Sequence, residues 1–343
     1  MKLITFPYYL KFRCKASKCT DSCCKGWEVR IDPCTAQKYR SLASPIGDRV
    51  RAALCESEDG DVFRMVDDRC PFLNESGLCD IITECGEDMI SDICKRHPRY
   101  FTILSDIAYG GLGMSCEEAA RLILTEDVRE YTECEIGITD GENYDVELRD
   151  AVISARDEAI KAISETPSIY AALSSVLSLI SGVDDVIYGT DFSENTTRGG
   201  VFPPLCGCIE VLVEFLSELE YMSDELMDRL RAVASRVDYE ALAIGGEAYV
   251  YLTRVLRYLI DRYFTPVILD ADTQGASAVI ALSFAAVVLL YLSETELTLD
   301  AAIGLSKLFS SEIEYSPDNL DTLRDADGEI INAALGVVKH LLG

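Results

Sequence analysis

The sequence predicts a mainly α protein: an irregular, cysteine-rich metal- or cluster-binding region over residues 1–134, followed by an acidic, all-helical domain over residues 135–343. Three observations carry that prediction. Twelve of the fourteen cysteines lie in the first 134 residues. Beyond about residue 145, apolar residues recur at steps of three and four almost without interruption, the period of a helix with one buried face. Charge divides at the same place, with a net of −5 over residues 1–134 and −23 over the remainder.

The N-terminal region reads as short pieces. Alternation over 29–32 predicts a short strand, and the turn-forming Asp32-Pro33 opens a helix over 35–42. Residues 84–94 read as a helix, with Pro98 beyond its end. Residues 101–113 hold a weak apolar strand, and the cluster Gly110-Gly111-Leu112-Gly113 reads as a turn that places Cys116. That cluster is not a dinucleotide fingerprint, because the required strand, glycine spacing and distal acid are not all present.

The second half predicts helices over 145–163, 168–181, 205–220, 223–237, 246–264, 276–292, 298–309 and 317–342. The last opens with Ser316 as N-cap and Pro317 at the first helical position, and Gly328 weakens its interior enough to split it. A loop over 182–204 carries Gly199-Gly200 and Pro203-Pro204. Residues 276–292 are uncharged over a length at the short limit of a membrane span. Their flanks carry Asp270, Asp272, Glu294 and Glu296 and lack the Lys or Arg that orient a span. The expectation is therefore the central buried helix of a bundle, in a protein with no membrane segment.

The cysteines are the most informative residues. They open with Cys14-x4-Cys19-x3-Cys23-Cys24, and a second set follows as Cys70, Cys79, Cys94 and Cys116. Eight sulfurs are enough for two four-thiolate sites, since structural zinc and the common iron–sulfur clusters each take four cysteines. Cys23 and Cys24 are adjacent, so their side chains diverge. The rival reading is a disulfide framework, which suits short secreted chains. The length of this chain, and an N-terminus without an export-signal pattern, favour metal or cluster binding in the cytoplasm.

These residues resemble the flagellin lysine-N-methylase (FliB) family, whose cysteine region is shared with a broader group of zinc- or iron-chelating proteins. The resemblance is carried by Cys14 to Trp27 as Cys-x4-Cys-x3-Cys-Cys-x-Gly-Trp, by Cys-Pro-Phe-Leu with Gly-Leu-Cys (Cys70 to Cys79), by Cys94 to Arg99 and by Ser115 to Arg121. It continues through Asp261-Arg262-Tyr263-Phe264 and Ser311 to Leu320. It implies an S-adenosylmethionine-dependent protein lysine N-methyltransferase acting on flagellin or another lysine-bearing protein. It also implies an iron–sulfur cluster, 4Fe–4S in type, with zinc as the alternative metal. The ligand pool it implies is Cys14, Cys19, Cys23, Cys24, Cys70, Cys79, Cys94 and Cys116. The second functional class is a non-catalytic zinc- or iron-binding module joined to a helical partner-binding domain.

Other residues are weighed against that frame. Tyr251, Arg254, Tyr258 and Arg262 share one face of the 246–264 helix. On the functional reading Arg254, Tyr258 and Arg262 bind the methyl donor; on the plainer one they pair with local acids on a solvated face. Seventeen tyrosines supply many candidates for the base that deprotonates the lysine, and the sequence does not choose among them. The glycine-rich loop of the usual methyltransferase sheet is not seen, and the Cys-x3-Cys-x2-Cys spacing of radical chemistry is broken by Cys19-x3-Cys23-Cys24. His97 reads as an extra ligand or as a packed or surface imidazole, Gly26 and Trp27 as closing the first ligand loop or Trp27 as an ordinary core aromatic, and Cys206-Gly207-Cys208 lacks the further ligands a metal needs. A pI near 4.4 argues against a nucleic-acid partner, because phosphate binding needs clustered Lys and Arg.

Overall fold

A helix that is apolar on every side can be satisfied only inside a protein or a membrane. Thr273–Leu292 is such a helix, and in the computed structural model eighteen of its twenty residues are buried. The structure describes residues 1–20, 22–26, 29–57, 60–67, 69–189, 202–236 and 244–343. Packed around Thr273–Leu292 are Gly246–Phe264, Gly328–Leu342, Pro317–Arg324, Leu299–Phe309, Ile169–Gly182 and Glu225–Ala234. Ile169–Tyr188 also has the length and composition to cross a bilayer, but the Thr273–Leu292 window is 94% buried among its neighbours.

Helix starts follow the capping residues in the sequence. Asp145 accepts from the backbone N–H groups of Glu147 and Leu148, Ser168 from Ala171, and Asp272 from Gly275. Thr298 accepts from Ala301, Ser316 from Asn319, and Asp327 from Glu329 and Ile330. Each bond satisfies an N–H that has no partner within its own helix. The 317–342 segment divides into Pro317–Arg324 and Gly328–Leu342, with the break at Asp325–Asp327 and Gly328 opening the second helix. The expected 223–237 helix runs Glu225–Ala234. Residue 237, Trp27 and the Gly199-Gly200 pair lie outside the described residues.

Six strands occur among the described residues: β1 (Lys2–Thr5), β2 (Leu54–Ser57), β3 (Gly60–Phe63), β4 (Arg99–Ile103), β5 (Ile107–Leu112) and β6 (Thr132–Glu135). One sheet has the order β4-β5-β1-β6 and the other is the β2-β3 hairpin. β1 runs parallel to β5, with Leu3 opposite Ala108, and antiparallel to β6, with Leu3 opposite Cys134. The chain forms two compact units. One comprises Met1–Lys11, Phe101–Ser115 and Ala119–Gly343; the other comprises Phe12–Tyr100 and Cys116–Glu118. The first eleven residues join the helical unit because β1 lies between β5 and β6.

Two expectations for the N-terminal region are corrected. Gly110 and Gly111 belong to β5 and are buried, so they are strand rather than turn. Glycine weakens a strand taken alone, but β5 is paired along both edges, which outweighs local propensity. Residues 84–94 are not one helix: Asp80–Cys85 ends at Gly86, which takes a φ of +86°, Glu87–Met89 is a 3-10 turn, and Asp92–Arg96 is a separate short helix. Only glycine adopts that conformation without strain. By contrast, the expected 35–42 helix is present as Pro33–Ser41 with Asp32 as its N-cap.

Candidate functional site

The cysteine-rich unit is built on a small core of Val29, Ile31, Ala36, Tyr39, Ile46, Val50, Phe63, Phe72, Ile81 and the buried Cys70, against which Cys24, Cys79 and Cys94 pack. Backbone bonds hold these cysteines in place. Cys70 N donates to Cys24 O at 2.9 Å, and Lys25 and Arg69 form an antiparallel bridge beside it. Between Cys70 and Cys79 the chain reverses through Asn74, whose side-chain oxygen accepts from Ser76 N and Leu78 N at 3.0 Å each. Gly77 sits in the reversal with a φ of +72°. Asp80 N then donates to Phe72 O at 2.8 Å.

Cys94 is set by Asp32. One carboxylate oxygen of Asp32 accepts from Thr35 N at 2.8 Å and the other from Asp92 N at 3.0 Å, so one residue caps both Pro33–Ser41 and Asp92–Arg96. Burial pushes the Asp32 carboxyl up, but the N–H groups of Asp92 and Thr35 outweigh it and hold the pKa below the usual value.

Cys14, Cys19 and Cys23 occupy a more open loop. Glu117 fastens it: Thr20 N and Thr20 Oγ1 each donate to Glu117 Oε2 at 2.8 Å, and Lys15 Nζ donates to Glu117 Oε1. Cys116 is the residue before Glu117, so the same contacts bring the loop to Cys116. Burial raises the Glu117 carboxyl, and the bonds from Lys15 and Thr20 more than reverse that.

The thiols sense one another through these placements. Burial, then Cys116, Glu117 and Cys14, raises Cys19 to about 11. Burial raises Cys70 to about 12, with Cys24, Cys79 and Cys94 adding to it, and raises Cys94 to about 11, with Cys24 and Cys79 adding. Cys23 donates its S–H to Cys24, which raises Cys23 and lowers Cys24. Thiols held protonated in this way become ligands once a cation repays the cost of ionisation. Among the described residues, no three His, Cys, Asp or Glu side chains are already drawn together tightly enough to hold an ion. The donor set is all sulfur, which suits zinc or iron–sulfur chemistry and not a hard cation such as magnesium.

The helical unit holds a second concentration of chemistry. Tyr258 donates to Glu314 Oε2 at 2.7 Å, Tyr263 donates to Glu314 Oε1 at 2.7 Å, and Arg262 Nη1 donates to Tyr258 Oη at 2.7 Å. Arg262 Nε also lies 3.5 Å from Glu314 Oε1. Burial alone would lower the Arg262 pKa, but Glu314 and the surrounding tyrosines raise it well above its ordinary value. Arg254 Nη1 donates to Leu124 O. The three residues expected to hold a methyl donor, Arg254, Tyr258 and Arg262, thus share one helix, with Arg262 already matched by Glu314. Glu314 comes from a π-turn over Ser310–Glu314, and this partner was not visible in the sequence.

The same unit contains a cleft of about 310 Å³. Tyr291, Leu292 and Leu297 give it an apolar surface, and Glu247, Glu294 and Glu296 give it three carboxylates. Glu294 is engaged by Arg229 at 2.7 Å, whereas Glu296 is exposed.

The chain is 25% identical over 131 residues to a lysine-N-methylase of Salmonella typhimurium, a match covering 36% of this chain and 33% of that protein. A lysine-N-methylase of Salmonella choleraesuis matches to the same extent. The flagellar biosynthetic protein FliU of Salmonella muenchen is also 25% identical over 131 residues, covering 78% of its length. No family model and no solved structure matches. The match spans about a third of the length of the curated methylases. Over that stretch the chain resembles lysine-N-methylases and a flagellar biosynthetic protein, in agreement with the family resemblance carried by its motifs.

Proposed function

We propose that the protein is an S-adenosylmethionine-dependent lysine N-methyltransferase that acts on flagellin in the cytoplasm and holds an iron–sulfur centre in its cysteine-rich unit. What carries this reading is similarity to lysine-N-methylases in a chain whose eight motif cysteines fall within one compact unit. Sulfur donors alone suit iron–sulfur clusters and zinc alike, and the family resemblance favours iron.

The reaction asks little of the protein beyond placement. A neutral lysine amine forms the new N–C bond as the sulfonium S–CH₃ bond breaks, S-adenosylhomocysteine leaves, and the amine gives up a proton. The cleft has the surface this reading needs for the acceptor: Tyr291, Leu292 and Leu297 match a lysine stem, and Glu247, Glu294 and Glu296 match its ammonium before deprotonation. The acidity of the helical half favours the approach of a lysine-bearing surface.

The test is methyl transfer from S-adenosylmethionine to flagellin encoded in the same genome, with protein purified without oxygen and flagellin read by intact mass. Added methyl groups on lysine are expected. Metal-loaded protein that leaves flagellin unmodified, and unmodified after longer incubation with excess donor, would refute the reading.

A further inference from the structure

The order of the sequence groups the eight cysteines as Cys14, Cys19, Cys23 and Cys24, then Cys70, Cys79, Cys94 and Cys116. The fold groups them differently. We propose that they form two separate four-thiolate metal centres, one held by Cys24, Cys70, Cys79 and Cys94 and the other by Cys14, Cys19, Cys23 and Cys116. The inference deepens the metal-binding part of the proposed function and does not depend on methyl transfer.

Cys24 leaves its sequence neighbours because the backbone takes it elsewhere. Its carbonyl accepts from Cys70 N at 2.9 Å, and the Lys25–Arg69 bridge extends that pairing by one residue. Its side chain packs on the core that also carries Cys70, Cys79 and Cys94. Cys23 and Cys24 lie in a turn, and of the two thiols it is Cys24 that packs on that core. Consistent with this, Cys23 is exposed and Cys24 half-buried.

Cys116 leaves its own set by the complementary route. Glu117 ties down both ends of the 15–20 loop through Lys15 and Thr20, which draws Cys14 and Cys19 to the start of the Glu117–Thr125 helix. Ala16 N donates to Cys14 Sγ at 3.4 Å, turning that thiol back over the loop.

Electrostatic neighbourhoods agree with the placement. Cys19 feels Cys116 and Cys14, and Cys23 feels them after Cys24, its foremost partner, while Cys70 feels Cys24, Cys79 and Cys94. Tyr39, in the core, feels Cys94, Cys79 and Cys70. The Cys23–Cys24 hydrogen bond is the link between the groups. The backbone is pinned beside each group, while among the described residues no three such side chains are yet drawn together around an ion, so each centre is completed by side-chain rotation on binding. Each thiol that binds releases its proton.

Pairs of Cys→Ser substitutions separate the two groupings. Metal per chain is measured by elemental analysis on full-length protein purified without oxygen. Cys24→Ser with Cys70→Ser should retain half the wild-type metal, because both changes fall in one centre. Cys23→Ser with Cys24→Ser should lose all of it, because each centre is broken once. Grouping by sequence order predicts the reverse, and that result would overturn the proposal.

Where a substituted core fails to fold by circular dichroism, wild-type protein supplies the same answer. Metal is withdrawn stepwise with a chelator, and newly reactive cysteines are alkylated and identified by mass. Cys14, Cys19, Cys23 and Cys116 should become reactive together, as the more exposed group, before the other four. Release of Cys24 together with Cys14 and Cys19 would overturn the proposal. Two centres without methyl transfer would sink the functional reading and leave this inference standing, and transfer by a protein with one centre would do the opposite.

Discussion

Asp32 and Asp92 join two helices of the cysteine-rich unit: Asp92 N donates to Asp32 Oδ2 at 3.0 Å while Asp32 Oδ1 caps the Pro33–Ser41 helix. One carboxylate therefore fixes the helix that bears Cys94 relative to the unit's core.

Replacing Asp32 with Ala removes both caps and should cost about 1 to 2 kcal/mol, read by chemical denaturation. Because the Asp32 pKa is depressed in the folded state, its stabilisation is fully present above the ordinary carboxylate pKa. It is lost as pH falls through the depressed folded value. The difference in stability between wild type and Asp32→Asn should therefore shrink on acidification. A difference that stays constant down to that range would mean the carboxylate charge is not what Asp32 contributes.

Glu117 should act on order more than on global stability. In Glu117→Ala the loop loses its bonds from Lys15 and Thr20, so the Thr20 amide should exchange with solvent faster while amides of the Thr273–Leu292 helix keep their protection. Unchanged exchange at Thr20 would show that the loop is held by other contacts.

Glu314 is buried with Arg262, Tyr258 and Tyr263 around it. Glu314→Ala strands a buried guanidinium and should cost about 3 to 5 kcal/mol. Tyr263→Phe removes only the hydroxyl's contacts with Glu314 and Arg262, leaves that ion pair intact, and should cost about 1 kcal/mol. Thermal unfolding of the two variants checks the order, and equal losses would contradict the account of Glu314 as the centre of the cluster.

Within the proposed function, Glu296 contributes to lysine capture before reaction. Glu296→Gln should raise the KM for flagellin by about two- to five-fold, the scale of an exposed charge pair, with kcat little changed. A fall in kcat at unchanged KM would place Glu296 in the chemical step instead.

Much of the helical unit was legible because its signals are local. Asp145, Ser168, Thr298 and Ser316 mark helix starts, and the uncharged 276–292 stretch marks the core helix. Phe284 in that helix is fully buried, as the pattern required. What the sequence hid depends on distant pairing. Gly110 and Gly111 are strand because β5 lies between β4 and β1, the latter more than a hundred residues away, and this placement overrides glycine's local preference. The gathering of Tyr258 and Tyr263 about Glu314 depends on a π-turn that has no periodic signature. At the candidate metal centre, residue identities were legible from spacing and resemblance. The company that Cys24 and Cys116 keep was not, because it is set by a backbone bond to Cys70 and by the anchoring of Glu117.

The account rests most heavily on the cysteine-rich unit being a metal centre. Iron, zinc and acid-labile sulfide should be measured on protein purified without oxygen, together with its visible spectrum. The prediction is iron and sulfide in equal amounts, with charge-transfer absorption that disappears on acidification. Protein with the same stability and no bound metal, its motif cysteines all alkylated in the folded state, would contradict the account; zinc without sulfide would contradict its iron–sulfur part.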